Sequence, residues 1–517
     1  VAPPPAPSAT DKAAPVGNLA IRGVIWSTVL TLGTKVISIL QQYLIAHFFL
    51  SPEDFGLVAL GQVVISLASI GQHLGLSEIM ARRHRTFEEW AQAAIWMSLA
   101  GALVCITLIF SICPFWDQIY TTVSTAFTHH PPSSVPHIQY LLAIWCLGLP
   151  FDAVATIFNA RLRADMRFRA WAMIACVQTL GIAAISLVLA AFHLGAYALV
   201  IPIPIMMMVC SCLSRYYSGQ KVRLFPQFAL WGRLLGDALY FFGGNVFNVL
   251  LQQGDYLITG FFFKQEVLGA YYFAFRMSSQ TAQLINANLA TILVPSFARL
   301  DQERGRQIAA YERTCSVLLL IGIPICGLQS ILGEPLFNLL FGTKWELAAP
   351  LFAILSLAMG FAIPMSTALA LLIAQGRLRT NMIITISQSI MFVTFVVTGA
   401  LFGDVKWVAT FVALFYLLFG PLTVALPVVG SGVSVARFLL RIHWFPVLAG
   451  AFSTAAAWVL TTWWAPPSNL VTILIRLAVW GILMTLLLLI VRPPAAREIA
   501  PRFAALARRL IPGRRTP

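Results

Sequence analysis

Fourteen apolar stretches of membrane-crossing length follow one another with only short polar connections. They lie near 19–48, 55–79, 90–113, 138–160, 170–192, 195–214, 234–263, 267–295, 312–332, 347–374, 380–402, 405–429, 444–464 and 470–491. A helix needs about 20 apolar residues to cross a bilayer, whereas a barrel strand needs only about ten. Inside lipid the backbone must satisfy its own hydrogen bonds, so runs of this length can only be helices. The expected fold class is therefore an all-α polytopic membrane protein of about 14 transmembrane helices. Composition agrees: 10% of residues are charged and mean hydropathy is +0.83, against about 25% charged in a soluble domain. Residues 1–18 are rich in Pro and Ala. They lack the apolar core of a signal peptide and read as a disordered tail.

A net charge of +15 could suggest nucleic acid, but its placement does not. Nineteen Lys and Arg fall in alternate connections: Arg82–Arg85, Arg161–Arg169, Arg215–Arg233, Arg299–Arg313, Arg377–Arg379 and Arg437–Arg441. The intervening connections hold only Lys264, Lys344 and Lys406. By the positive-inside rule the basic connections and both termini are expected in the cytoplasm, and no nucleic-acid partner is expected. The C-terminal Arg508, Arg509, Arg514 and Arg515 suit either an anionic inner leaflet or plain solvent. The longest outer connection, about Pro114–His137, is too short to be a domain.

One stretch recurs. YLIAHFFLSPEDFG, Tyr43–Gly56, returns 213 positions later as YLITGFFFKQEVLG, Tyr256–Gly269, with 7 of 14 positions identical. Each copy follows Leu-Gln-Gln, at Leu40–Gln42 and Leu251–Gln253. The matched Glu53/Glu266 and Gly56/Gly269 favour duplication of a bundle, a common way to build a transporter. Six spans separate the copies, so the halves should insert in the same direction. The expected organisation is a tail at 1–18, a six-helix half at 19–216, a cytoplasmic linker at 217–233 and a second half at 234–430. Extra helices 13 and 14 follow at 431–492, and a basic tail at 493–517.

The clearest intramembrane polarity lies in the two repeated hairpins. At about 100° per residue, Thr28, Thr31, Lys35, Ser38 and Gln42 share one face of span 1. Gln62, Ser66, Ser69 and His73 share a face of span 2. Span 7 has Asn245, Asn248, Gln252, Asp255 and Thr259; span 8 has Arg276, Ser279, Gln280, Gln283 and Asn286. Such stripes face other helices or water, because unsatisfied polar groups in lipid cost several kcal/mol. Small polar residues often serve only as bonds between helices. Lys35 is different: it lies roughly 16 Å along its helix from Val24, and a charge at mid-membrane is usually functional. A water-filled cavity between spans 1, 2, 7 and 8 is expected, with Lys35, Gln42, Gln62, His73, Asn245, Asn248, Gln252, Asp255, Arg276, Gln280 and Gln283 as candidate substrate-binding residues.

Other polar positions have plainer readings. Asp152 follows Pro150, where a kink is expected. Asp237 lies near a helix start and suits the dipole. His73 reads more readily as a helix contact than as a proton relay. Arg22 and Arg476 lie near span ends, where long side chains snorkel. Asp255 and Arg276 fall at similar depth on either side of the turn near Gln265, so an ion pair is one reading and a cargo-facing arginine the other. The eight cysteines lie in or beside apolar segments and read as small buried residues. No nucleophile–base pair, metal-ligand cluster or nucleotide loop is present in the sequence, so no catalytic residue, metal or cofactor is expected.

These segments together resemble the polysaccharide flippases, of O-antigen and exopolysaccharide type, in the multidrug/oligosaccharidyl-lipid/polysaccharide exporter superfamily. The resemblance runs through AIRGVIWS (Ala20–Ser27), LSPEDFGLVAL (Leu50–Leu60), LGLSEIMARR and ARLRADMRFR (Ala160–Arg169). It returns at QGDYLITGFFF, LGAYYFAFRM and LVPSFARL (Leu293–Leu300). Lys264-Gln265-Glu266 departs from the usual small loop. The resemblance implies export of an undecaprenyl-diphosphate-linked oligosaccharide across the bacterial inner membrane, for O-antigen, capsule or exopolysaccharide assembly. Membrane lipids and polymerase and export proteins of the same pathway are the implied partners. Amides and hydroxyls suit sugars, and lysine and arginine suit a diphosphate. Two alternatives stand beside it. A cation-coupled drug antiporter of the same superfamily would use Asp152, Asp237 or Asp255. A membrane polymerase or ligase would need a large outer loop with clustered acid and base groups.

Overall fold

The computed structural model describes residues 30, 33–82, 87–128, 137–165, 167–219, 228–286, 289–300, 302–464 and 468–497. Thr28 and Thr31, the Arg82–Arg85 connection in most of its length, Pro131–Pro136 and the C-terminal basic tail lie outside them. Nearly all described residues are helical, and no strand occurs among them. The chain forms two compact units, one ending at Gly269 and one beginning at Ala270.

The first unit opens with helix α1 (33–44), which ends in a π turn, Ile45–Phe49. Next come α2 (Pro52–His73), α3 (Leu76–Arg82), α4 (Phe87–Ile112), α5 (Trp116–Thr128), α6 (Gln139–Cys146) and α7 (Leu149–Ala164). α8 (Phe168–Ala191), α9 (Tyr197–Val200), α10 (Pro202–Ser218) and α11 (Trp231–Phe262) complete it. The second unit takes most of α12 (Gln265–Asn286), then α13 (Leu289–Ala298), α14 (Arg304–Leu340), α15 (Ala348–Ala362) and α16 (Met365–Ala374). It ends with α17 (Leu378–Leu401), α18 (Val405–Ala425), α19 (Val435–Trp464) and α20 (Asn469–Val491).

Among the described residues ten helices are long and apolar enough to cross a membrane, or eleven if the bent pair α6–α7 is one span. The three expected spans missing from that set have physical reasons. The first part of span 1, 19–29 with 31 and 32, lies outside the described residues, and what remains is too short to count. α11 and α12 are long enough but carry the polar stripes, which lower their apolarity. The expected count of fourteen thus exceeds what length and apolarity alone identify.

The recurring turn has a local explanation. Ser51 caps α2: its hydroxyl accepts from Asp54 N at 3.4 Å, while Asp54 Oδ2 accepts from Ser51 N at 2.9 Å. Pro52 fills the first helical position, where its missing N–H costs nothing. Asp54 Oδ1 also accepts from Ala196 N at 3.0 Å, tying this helix start to the turn before α9. The two copies meet each other. A Cβ added at Gly269 would lie 1.6 Å from Pro52 O, and one at Gly56 would lie 2.2 Å from Gln265 O. The matched glycines are therefore where backbone touches backbone.

Two further differences from expectation concern the connection after span 3 and the extra helices. The connection after span 3 is not plain loop: it contains α5. Arg476 does not snorkel. It is buried, 7% exposed. Its Nε donates to Thr461 Oγ1 at 2.9 Å and its Nη1 donates to Ile331 O. The nearby α14 and α19 supply acceptors, so the guanidinium turns inward instead of reaching for the interface.

Candidate functional site

In the first unit α2 packs lengthwise on α11, closely enough that a Cβ at Gly260 would lie 2.4 Å from Leu60 Cδ2. This brings two of the polar-striped helices together. Along α2, Gln62 is half-buried and His73 ends the helix. Along α11, Asn245 is half-buried and Asn248 and Gln252 are exposed, with Gln252 donating to Asn248 Oδ1 one turn earlier. Asp255 and Thr259 are buried completely. Lys35 on α1 is half-buried and Gln42 is buried. The stripes are thus graded: open amides in the middle of α11, closed polar groups toward its C-terminal end.

The candidates of the second unit lie on α12. Arg276 is half-buried, donates from Nη1 to Tyr272 OH at 2.8 Å, and stands 5.8 Å from that ring's centroid. Both contacts are one turn away on the same helix, leaving the guanidinium's other donors for further partners. Gln283 is exposed and donates to Ser279 Oγ at 3.1 Å; Gln280 is half-buried. Thr281 instead points to α14, donating to Gln329 Oε1 at 2.6 Å.

Chemically, the first unit offers amide donors and acceptors and Lys35, and the second offers Arg276 with two further amides, Gln280 and Gln283. Among the described residues no group of three or more His, Cys, Asp or Glu could hold a metal ion.

The structure also makes a contact that periodicity on single helices does not reveal. His73 Nε2 lies 3.0 Å from Asp152 Oδ2. Gln72 Nε2 donates to the same oxygen at 3.3 Å, and Thr156 Oγ1 lies 3.4 Å from His73 Nδ1. Pro150 was the available signal, since it marks a break in span 4 that turns Asp152 toward α2.

Comparisons with known proteins agree with this architecture. A family described as polysaccharide biosynthesis protein matches residues 47–350. The succinoglycan biosynthesis transport protein ExoT of Rhizobium meliloti (strain 1021) is 25% identical over 358 residues, 67% of each chain. The lipopolysaccharide biosynthesis protein WzxC of Escherichia coli (strain K12) is 20% identical over 387 residues, covering 73% of this chain and 75% of that one. Among solved structures, the lipid II flippase MurJ in an inward closed conformation superposes with TM-score 0.70 at 14% identity. That match covers 90% of this chain and 99% of that one.

Proposed function

Since the chain belongs to the polysaccharide biosynthesis protein family, we propose that it is a flippase for a lipid-linked oligosaccharide. The cargo is a repeat unit on undecaprenyl diphosphate, turned from the inner to the outer leaflet of the bacterial inner membrane. Both termini lie in the cytoplasm on this reading, which the distribution of Lys and Arg supports. The protein performs no covalent chemistry; it moves its cargo by alternating access between two halves, 19–216 and 234–430.

The single observation that carries this reading is the placement of polarity. The family match runs through α11 and α12, and these are the described long helices too polar to pass as ordinary spans. A transporter for an apolar drug would not need so many amides. A lipid-borne sugar does, because its hydroxyls lose water on entering the membrane and each unpaired polar group is costly there. Lys35 in the first unit, and separately Arg276 in the second, are the cations suited to a diphosphate; Gln62, Asn245, Asn248 and Gln252 of the first unit and Gln280 and Gln283 of the second are the amides suited to sugars. The names of ExoT and WzxC, biosynthesis proteins for succinoglycan and lipopolysaccharide, support polysaccharide precursors as the cargo class.

The test is Lys35→Ala in a strain lacking the wild-type gene, at native expression. Polymer export is expected to stop while the protein reaches the membrane at its normal level. Lys35→Arg is expected to keep part of the export, because charge survives while its geometry changes. Normal export by Lys35→Ala would remove the lysine from the site.

A further inference from the structure

We propose that His73 and Asp152 form a proton-binding site, and that its proton is the coupling ion that drives cargo export; the coupling half rests on the flippase reading above.

The pair lies deep in the membrane. Asp152 is thirteen residues past Gln139, where α6 begins, and eleven before Arg163 near the end of α7, or roughly 20 and 16 Å from the two ends of that span. Both partners sit at helix breaks. α2 stops at His73, and Leu74 takes φ +44° and Gly75 φ +67° before α3 resumes. A leucine in the left-handed region is strained, and such strain gathers at functional positions. α6 and α7 are separated by Leu147–Gly148 with a 42° bend, and Asp152 lies in the first turn after it. Broken spans facing each other at this depth are how transporters build ion sites.

The side chains of His73 and Asp152 are 31% and 29% exposed. An ionisable pair exposed at this depth faces water inside the protein and not lipid. A proton can therefore reach it.

The decisive observation is internal. His73 plus the repeat's 213 positions is Asn286. Pro150 and Asp152 likewise match Pro364 and Ser366, 214 positions on, at the break between α15 and α16. Ser366 Oγ donates to Asn286 Oδ1 at 3.0 Å. The second unit thus joins α12 and α16 through side chains at the matching positions, with no titratable group in the contact. Joining these helices does not require a histidine and an acid, so their presence in the first unit calls for a different reason.

The hydrogen bonds allow the proton to come and go. In the unloaded state His73 Nε2–H donates to the Asp152 carboxylate, and Nδ1 accepts from the Thr156 hydroxyl. Loading adds one proton at Nδ1, which then donates to Thr156 Oγ1, the hydroxyl having turned round. No bond is lost; the pair's net charge rises from −1 to 0. A neutral pair can be closed off from water at far lower cost than a charged one. Loading thus permits the water path at the breaks to close. One proton enters from the outer side and leaves to the cytoplasm per cycle, opposite to the cargo.

Few other titratable groups surround the pair. α4 presents Cys105, whose Sγ donates to Ala68 O at 2.8 Å, and α6 presents Cys146, buried. α11 carries the buried Asp255, five residues before the Gly260 that meets Leu60. On α7 itself Arg161 is already engaged with Asp165 at 2.9 Å and Glu88 at 4.0 Å, two to three turns toward the cytoplasm. The side chains of Glu78 on α3 and Asp237 on α11 lie outside the described residues.

Two measurements on the purified full-length protein test this. Infrared difference spectra between pH 5 and 8, the interval in which an imidazole ordinarily titrates, should show, beside the signals of the other seven histidines, a histidine component that shifts in Asp152→Asn and is missing in His73→Asn/Asp152→Ser, the double variant that copies the second unit's neutral pair. Identical difference spectra for wild type and the double variant overturn the site. The second measurement uses proteoliposomes and a fluorescent, short-chain prenyl-diphosphate-linked N-acetylglucosamine as probe. A one-unit pH gradient, acid on the outer face, should raise the wild-type flipping rate by up to about tenfold. The ratio of rates with and without gradient should fall to one in both variants. A wild-type ratio of one, or variants with the wild-type ratio, overturns the coupling. Failure of the wild-type protein to flip the probe at all, with that histidine component present, sinks the flippase reading and leaves the proton site standing.

Discussion

In the first unit, the connection between spans 3 and 4 contains α5, a thirteen-residue helix. It is fastened by hydrogen bonds: Tyr120 OH donates to Gly260 O at 2.8 Å and Ser124 Oγ donates to Phe261 O at 2.9 Å. In the second unit the corresponding connection is a single short turn, Gly342–Trp345. It is fastened by an aromatic plug: Trp345 is fully buried with its ring centroid 4.2 Å from that of Phe273, and Phe337 and Phe341 close the cluster. The side-chain pairs His73–Asp152 and Asn286–Ser366 show the same division. Duplication keeps the place of a contact more faithfully than its chemistry. Where only joining is needed, either polar or apolar fastening serves. Where one copy alone carries ionisable groups, that copy has acquired a task.

The sharpest way to break this comparison is at the seam of the two repeated turns. Gly269→Ala would place its methyl carbon 1.6 Å from Pro52 O, a backbone atom held by a capped helix start. Neither side can yield, and the variant is expected not to accumulate in the membrane. Gly322→Ala in the second unit meets only the flexible end of Ile363, with Cδ1 at 2.5 Å, and should cost about 1–3 kcal/mol, the usual range for overpacking. Membrane levels and thermal melts of the two variants give the answer. Equal behaviour would mean that the recurring glycines are coincidental.

Next in size is the aromatic plug. Trp345→Ala empties a fully buried site against Phe273 and Phe341, and about 3–5 kcal/mol of stability should be lost. The measurement is the melting temperature in detergent, with Trp464→Ala as reference, since that side chain is 69% exposed on α19. A Trp345→Ala protein melting with its reference would show that the turn needs no plug.

Much of this was legible in the sequence, and the reasons for success and failure are physical. Hydropathy places the spans because apolarity along one helix is a local property. The polar stripes on α2, α11 and α12 follow from helical periodicity, also local. Pairings between spans are not local. His73 meets Asp152 only because Leu74 and Gly75 leave the helical region and because α6 and α7 bend, and neither break has a strong signature beyond Pro150. Arg476 looked like a snorkelling end residue because its distance from the helix start is all that sequence shows; its acceptors, Thr461 and Ile331 O, lie on other helices. α5 was missed for a related reason. It is too polar for a span and lies beside Pro131, Pro132 and Pro136, which read as loop.

The smallest expected effect concerns α5 itself. Gly260 and Phe261 are among the last residues of α11, which ends at Phe262, so their carbonyls have no partner within the helix. Tyr120 and Ser124 supply the missing donors, and both side chains are buried at 3% exposure. Tyr120→Phe keeps the ring against Phe261, whose centroid is 5.6 Å away, and removes only the hydroxyl. Ser124→Ala removes the second donor. Each should cost about 1 kcal/mol, the net value of one ordinary hydrogen bond. Because the bonds attach a peripheral helix and not the core, the loss should appear locally before it appears in the melt. Hydrogen–deuterium exchange in the double variant is expected to quicken across residues 116–128 and at the end of α11, by about fivefold per lost bond, the factor that corresponds to 1 kcal/mol. Exchange should remain unchanged in the 342–345 turn, which is fastened by burial. If α5 exchanges no faster in the double variant than in wild type, the two connections are held by the same apolar means, and the contrast between the units narrows to the His73–Asp152 site alone.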